Sequence, residues 1–246
     1  MKKLITILSF IVLSTVSAKA IDLPSLPSIS GLSLTGGVAA NNSVFGGTAK
    51  QDGYSAAGDT IDITDTEHGV FTDSFGSQFI ELGIGRWISV GYEVVPDSIT
   101  TPQNVNDASL GQAMGAATSK VSVDFNDLNT TYLKLNTPMG IYLKYGTVTT
   151  DIDIKETQLS GNTYKNTSVD GTSMGAGYQK TFGDRGFGFR IEGNYVELDT
   201  VTVNNGVVKT AGTGINNHKE ITASNLEGLT GKVALTYTFG REGNSF

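Results

Sequence analysis

Cysteine is missing altogether from the 246 residues. A chain without it holds no disulfide, no thiolate metal site and no lipidated cysteine of the bacterial lipoprotein kind. Basic residues are few, 17 Lys and Arg against 24 Asp and Glu, for a formal charge of -7. With no positive surface to neutralise phosphates, nucleic acid is excluded as a partner. Proline occurs five times, and charged residues (17%) and hydrophobic residues (38%) both fall below ordinary globular usage. Long apolar runs are absent beyond the N-terminus. No later window approaches the ~18 consecutive apolar residues of a transmembrane helix, so a membrane-resident form has to be a closed barrel. Glycine is abundant, with 31 residues, which suits β structure with many tight turns.

The N-terminus reads as an export signal. Lys2 and Lys3 precede an apolar stretch from Leu4 to Val16, and Ala18-Lys19-Ala20 supplies the small-x-small cleavage pattern. Residues 1–20 are therefore set apart as a cleaved signal peptide, and 21–246 as one β-barrel domain. Loss of Lys2, Lys3 and Lys19 leaves 14 bases against 24 acids, a net charge of -10.

The remainder alternates. Leu229, Gly231, Val233, Leu235, Tyr237 and Phe239 share one face, while Thr230, Lys232, Ala234, Thr236 and Thr238 share the other. The same period of two recurs from Phe187 to Tyr195, Ile141 to Gly146, Thr131 to Asn136, Trp87 to Val94 and Ile80 to Ile84, with weaker runs at Met174–Phe182 and Leu32–Ala39. Eight strands follow, near 30–45, 74–84, 86–97, 120–136, 140–155, 168–182, 186–203 and 222–239. Their connections alternate between short and long. The short ones are Gly85-Arg86, Thr137-Pro138-Met139-Gly140 and Gly183-Asp184-Arg185-Gly186. The long polar ones cover about 46–73, 98–119, 156–167 and 204–221. Short turns at one end and long loops at the other predict an all-β, eight-stranded, antiparallel up-and-down transmembrane β-barrel, with both termini on the periplasmic side.

A soluble lipocalin-like barrel would alternate too, with its apolar face inward, and Gly85-Arg86-Trp87 mimics that family's Gly-x-Trp. That motif belongs on a first strand, however, and here it opens the third. The polar face is also dominated by Ser, Thr, Gly and Ala, and its few charges are balanced: Glu81, Glu93 and Glu192 against Lys134, Lys144, Arg190 and Lys232. Small residues and opposed charges suit a narrow lumen that side chains fill. Tyr237, Phe239, Phe187, Phe189, Phe182, Tyr145 and Tyr178 lie on the apolar faces, several near the short-turn end, where an interfacial girdle belongs.

The leader, the eight alternating strands and the final segment Lys232-Val233-Ala234-Leu235-Thr236-Tyr237-Thr238-Phe239 resemble the small outer-membrane β-barrel superfamily of OmpA-type, OmpX-type and opacity-type porin-like proteins. The resemblance spans essentially all of the mature chain. It implies the outer membrane of a Gram-negative bacterium, with lipid, lipopolysaccharide and the barrel-assembly machinery as partners. It also implies an assembly signal in the last strand, carried by Lys232, Tyr237 and Phe239. Ala234 stands where that family usually has glycine, and the chain runs on to a terminal Phe246.

The loops hold what is particular to this chain. The first carries Asp52, Asp59, Asp62, Asp65, Glu67 and Asp73 against Lys50 alone. Asp59, Asp62 and Asp65 are a weak candidate for a divalent cation, since hard ions prefer clustered carboxylates. They lack the EF-hand ligand pattern, and the expectation is a solvated acidic loop with no metal and no cofactor. Asn204-Asn205-Gly206, between β-branched runs, signals a hairpin that extends the last two strands above the membrane or adds a ninth and tenth strand. The two histidines, His68 and His218, sit in polar loops without a nucleophile pattern, so no catalytic residue is expected. Paired lumen charges imply a plugged barrel acting structurally or as an adhesin-like surface element, with no ligand legible in the sequence. An open lumen would instead make a narrow pore for small polar solutes or ions.

Overall fold

The computed structural model describes residues 31–54, 60–109, 116–157, 164–182, 186–207 and 218–240. The signal segment, the 183–185 turn, residues 208–217 and Phe246 lie outside them. Alternation makes each segment a strand with two unlike faces, and pairing closes the strands into a ring. In chain order these are β1 (Leu32–Tyr54), β2 (Ile61–Ile84), β3 (Ile88–Val94), β4 (Ile99–Thr100), β5 (Asn104–Ser109), β6 (Ala116–Asn136), β7 (Ile141–Thr157), β8 (Thr167–Thr181), β9 (Phe187–Leu198), β10 (Val201–Asn204) and β11 (Lys219–Phe239). Eight of them form the circuit β1-β2-β3-β6-β7-β8-β9-β11, and β11 pairs back to β1. Every ring pairing is antiparallel. The ring is thus eight-stranded, not ten: β10 continues the line of β9 along β11, pairing Val201–Asn204 with Glu220–Ala223.

The short turns and the two ends of the described chain share one rim. Gly85, Gly140 and Gly186 take left-handed φ values of 61°, 84° and 77°, a conformation open to glycine at little cost. Backbone hydrogen bonds tie these turns to neighbouring strands, Gly85 N to Gly31 O at 2.6 Å, Gln179 N to Gly140 O at 2.9 Å and Thr238 N to Gly186 O at 2.8 Å.

The opposite end departs from the sequence expectation. The 46–73 stretch, expected as a long loop, is mostly strand: β1 has 23 residues, β2 has 24, and they pair from Leu32↔Ile84 out to Tyr54↔Ile61. Crossing a membrane needs ~9–11 residues, so the surplus stands beyond it. The expected 98–119 loop likewise contains β4 and β5, both laid against β6, and β11 begins at Lys219, inside the expected last loop. Polar composition mimics a loop here because these strands leave the lipid and need no apolar outer face. The passage from membrane to extension is marked by irregular pairing at Gly46/Thr48 in β1 and Asn126/Asn129 in β6, with Asp127 and Asn225 at φ 49° and 51°. Bulges of this kind bend a strand and increase its twist.

The outer face of the ring is apolar. Ile80, Leu82, Val90, Leu133, Leu143, Ile191, Val233 and Leu235 are all exposed, whereas the residues alternating with them are buried and largely polar. At the turn rim, Phe187, Tyr237 and Phe239 contact one another at ring-centroid distances of 4.8 and 4.5 Å, and Phe182 stacks on Phe189 at 5.5 Å. An apolar exterior with aromatics at its edge and a polar interior reverses the order of a soluble barrel. It is the arrangement of an outer-membrane barrel, with lipid as the solvent of the outer face.

Candidate functional site in the lumen

The strand register brings the inward charges together in two connected groups. In the first, the Glu81 carboxylate accepts hydrogen bonds from Lys134, from Arg190 Nη2 at 2.7 Å and from the Tyr132 hydroxyl at 2.8 Å. Gln179 Oε1 accepts from the same two cations at 3.1 and 2.8 Å. In the second, Lys232 Nζ donates to both oxygens of Glu93 at 2.6 and 2.7 Å and to Glu192 at 3.0 Å. Lys144 donates to Glu192 at 2.7 Å and to Glu93 at 3.3 Å. Tyr142 donates to the other Glu192 oxygen at 2.6 Å, and Arg190 Nη1 lies 3.9 Å from it, which joins the groups. Glu81, Glu93, Lys134, Lys144, Arg190, Glu192 and Lys232 are all buried. Three carboxylates serve four cations and only Arg190 Nε among the atoms of these seven side chains is buried without a partner; buried charges need such pairing because each unpaired ion would cost several kcal/mol to desolvate.

Aromatic rings fill the space between the charges. The Arg190 guanidinium lies 4.3 Å from the Phe79 ring centre, and Lys144 Nζ lies 4.5 Å from that of Tyr132. Phe79, Tyr132 and Tyr142 each stand opposite a glycine on the neighbouring strand, namely Gly37, Gly91 and Gly177. A Cβ on those glycines would fall 2.2, 2.4 and 2.3 Å from the facing ring or hydroxyl. The rings therefore lie over the neighbouring strand, in the space that a side chain on these glycines would take. Alternation alone shows which residues point inward, but only cross-strand register shows that each large ring faces a glycine.

Toward the extension the lumen changes character. A cavity of about 680 Å³ opens there, with Glu93, Lys144 and Lys232 at its inner end. Its walls include Phe45, Phe71, Phe75, Val95, Ile99, Phe125 and Leu128 beside polar residues such as Asn41, Thr130 and Ser173, and Phe75, Val95 and Ile99 form a buried cluster. This apolar cup was not legible in the sequence, where the inward face reads as polar throughout. Phe71 and Phe75 share the face of Ser77 and Glu81, which gave the signal that could have found it: large apolar residues on both faces of one strand.

The remaining candidates separate. Lys232 and Ala234 point into the lumen and are buried, while Tyr237 and Phe239 sit in the rim cluster. Asp65 pairs in register with Gln51; Asp59 and the side chain of Asp62 lie outside the described residues. Among the described residues no group of three or more His, Cys, Asp or Glu is placed to hold a metal ion. His68 Nδ1 hydrogen-bonds Thr48 at 2.9 Å on the surface. His68 lies within β2 rather than in a loop, whereas His218, just ahead of β11, is buried against the Tyr54 ring at 5.1 Å and lies 3.1 Å from Glu220. Asp52 and Asp124 are both held below the usual carboxylate range, Asp52 first by a hydrogen bond from Lys50 and Asp124 first by one from Lys155.

No family model and no curated protein matches the sequence. Solved structures do. OprG from Pseudomonas aeruginosa is similar at 12% identity, over 81% of this chain and 95% of its own, with a TM-score of 0.43. AlkL, determined in lipid bilayers, is similar at 11% identity over 92% and 98% of the two chains, with a TM-score of 0.42. The outer-membrane protease OmpT from Escherichia coli is similar at 11% identity over 89% and 99%, with a TM-score of 0.35. All three are outer-membrane β-barrel proteins, and at these identities the likeness is one of fold alone.

Proposed function

We propose that this chain is a closed, non-enzymatic barrel of the Gram-negative outer membrane that acts through its extracellular extension as a structural or adhesin-like surface element. The observation that supports this reading is the pairing of three buried carboxylates with four buried cations across the lumen. At eight strands such an interior leaves side chains, not water, on the axis. Lipid and lipopolysaccharide contact the outer face, and the barrel-assembly machinery reads the last strand through Lys232, Ala234, Tyr237, Phe239 and Phe246. The 1–20 segment is removed on export. The non-enzymatic reading is supported by the placement of His68, which bonds the Thr48 hydroxyl, and of His218, whose two ring nitrogens meet the Val207 carbonyl and Glu220.

The test is planar-bilayer conductance of the refolded mature protein, with heat-modifiable gel mobility as the control for barrel closure. A folded but silent barrel supports the reading. Stable discrete channels overturn it in favour of a narrow pore for small polar solutes or ions, and charge selectivity that changes in Lys144→Ala would locate the path.

A further inference from the structure

We propose that the open edge of β2 above the membrane takes up an extended, lysine- or arginine-bearing segment of a partner protein as an added strand. This rests on the reading of the extension as an extracellular surface element and names the kind of partner it meets. The edge arises from unequal neighbours. β2 has 24 residues and β6 has 21, but β3 between them has 7 and stops at Val94. The chain then turns toward β6: Val95 N donates to Leu128 O at 2.9 Å, and β4 and β5 pair with β6. β2 meets β3 only from Gln78 to Ile84. From Ile61 to Ser77 it is paired along one edge, to β1, and along the other to no described residue.

The register says which backbone groups are left over. Val95 N faces β6, so Val94 faces β2, and its partner Gln78 faces back. Alternation then aims the N–H and C=O groups of Thr64, Thr66, His68, Val70 and Thr72 at the open edge. Ser74 N belongs to the same series and is capped by its own neighbour, Asp73 Oδ1, at 2.8 Å. Unpaired strand edges are templates for another chain, and proteins blunt them with lysine, proline, bulges, shortness or charge. Residues 61–77 contain no lysine, arginine or proline, and the β1–β2 register is unbroken from Gly53↔Ile63 to Leu32↔Ile84. Charge is the one device present, and it has one sign. Asp65, Glu67 and Asp73 share the lumen-side face that carries Phe75, with Thr64, Thr66, His68, Val70 and Thr72 alternating on the outer face. A second copy of this edge would set like charges beside like, which destabilises a strand pair. A strand with a cation at every second position instead sets positive charge beside these carboxylates. Its intervening residues meet threonine and valine, against which β-branched side chains pack well. Main-chain bonds along the edge supply affinity, and the alternate side chains supply selection.

The experiment is fluorescence anisotropy of a labelled peptide of lysine alternating with threonine, about ten residues long to match Thr64–Asp73. It is added to the full mature barrel in zwitterionic lipid nanodiscs, with empty nanodiscs subtracted. Three more peptides are compared: one with glutamate for lysine, one N-methylated at every lysine and one N-methylated at every threonine. Expected is saturable binding of the parent peptide and none of the glutamate peptide. An added strand turns only alternate amides to its neighbour, so one methylated peptide should bind at least ~10-fold more weakly and the other should be retained. Loss on threonine methylation marks an antiparallel strand, and loss on lysine methylation a parallel one. Thr66→Pro combined with Val70→Pro removes two edge donors while the β1 ladder keeps its own, and should weaken the parent peptide several-fold. Equal binding of the two methylated peptides, or no effect of the prolines, reduces the contact to charge adsorption and overturns the proposal. Failure of the parent peptide to bind overturns it too, and cross-linking of Val70→Cys between barrels would then identify a second copy as the occupant. Heat-modifiable mobility shows whether the proline variant still closes; if it does not, the methylated peptides on the wild-type barrel decide. Conductance tests the surface reading and peptide binding tests this one, so either can fail alone.

Discussion

The two halves of the lumen solve the problem of a barrel interior in opposite ways. Near the short turns the space is closed by charge: Glu81, Glu93 and Glu192 with four cations, and aromatic rings laid over glycines. Toward the extension the same strands carry Phe45, Phe71, Phe75 and Phe125 inward and leave a cavity. A lumen shut by ion pairs depends on every member, since removal of one leaves its partners buried and unneutralised. A lumen lined by apolar side chains loses only the contacts of the residue removed and tolerates a void already present. The difference separates a lower section packed by ion pairs from an upper section that keeps a cavity.

The largest expected effect follows from that contrast. Glu192→Leu leaves Lys144, Lys232 and the Tyr142 hydroxyl with Glu93 as the remaining nearby carboxylate of the second group, and it should destabilise the barrel by about 3–5 kcal/mol. Urea unfolding followed by gel mobility measures this, and the same protein should leak in planar bilayers. Phe75→Ala in the cup should cost less, about 2 kcal/mol, below the range for fully enclosed phenylalanines because its ring already borders a cavity. If the two variants unfold alike, the halves do not differ as argued.

Smaller effects sharpen the boundary. Gly91→Ala and Gly177→Ala would drive a methyl group into Tyr132 and Tyr142 and should each cost about 1–3 kcal/mol by overpacking. Gly36→Ala and Gly193→Ala, with open space around the added carbon, should be within about 0.5 kcal/mol of wild type in the same assay. The smallest effect is one of pH. Asp52 and Asp124 titrate below their unfolded values through the hydrogen bonds from Lys50 and Lys155. Their stabilisation is whole above the ordinary carboxylate range and is lost as pH falls through the lowered folded values. Amide protection, corrected for the intrinsic rate at each pH, should therefore fall in the β1–β2 and β6–β7 extensions as pH drops below about 4, before global unfolding. Equal protection at pH 3 and 6 would remove these carboxylates from the account.

How much could be read in advance divides along the same line. The eight ring strands were legible because lipid on one side and a packed lumen on the other impose a period of two on each. Strand ends were not. Above the membrane both faces meet water or the cup, the contrast fades, and β1 and β2 look like an acidic loop although they pair to Tyr54 and Ile61. The lumen charges could be named from alternation, but not which acid meets which base. Lys134 and Lys144 stand opposite each other in register, yet they lean to different carboxylates. His68 read as a loop residue and lies within β2, and His218, just ahead of β11, is buried against Tyr54.

The sequence by itself determined the short turns and the inside-out polarity, because each is a local pattern repeated along one strand, whereas the choice of eight ring strands over ten fell to the pairing of β10 with β11. Closure of β1 on β11, the glycine beneath each lumen ring, the partners of each buried charge and the apolar cup were decided only in three dimensions. These depend on register between strands far apart in the chain, and a one-residue change of register would turn every side chain to the other face.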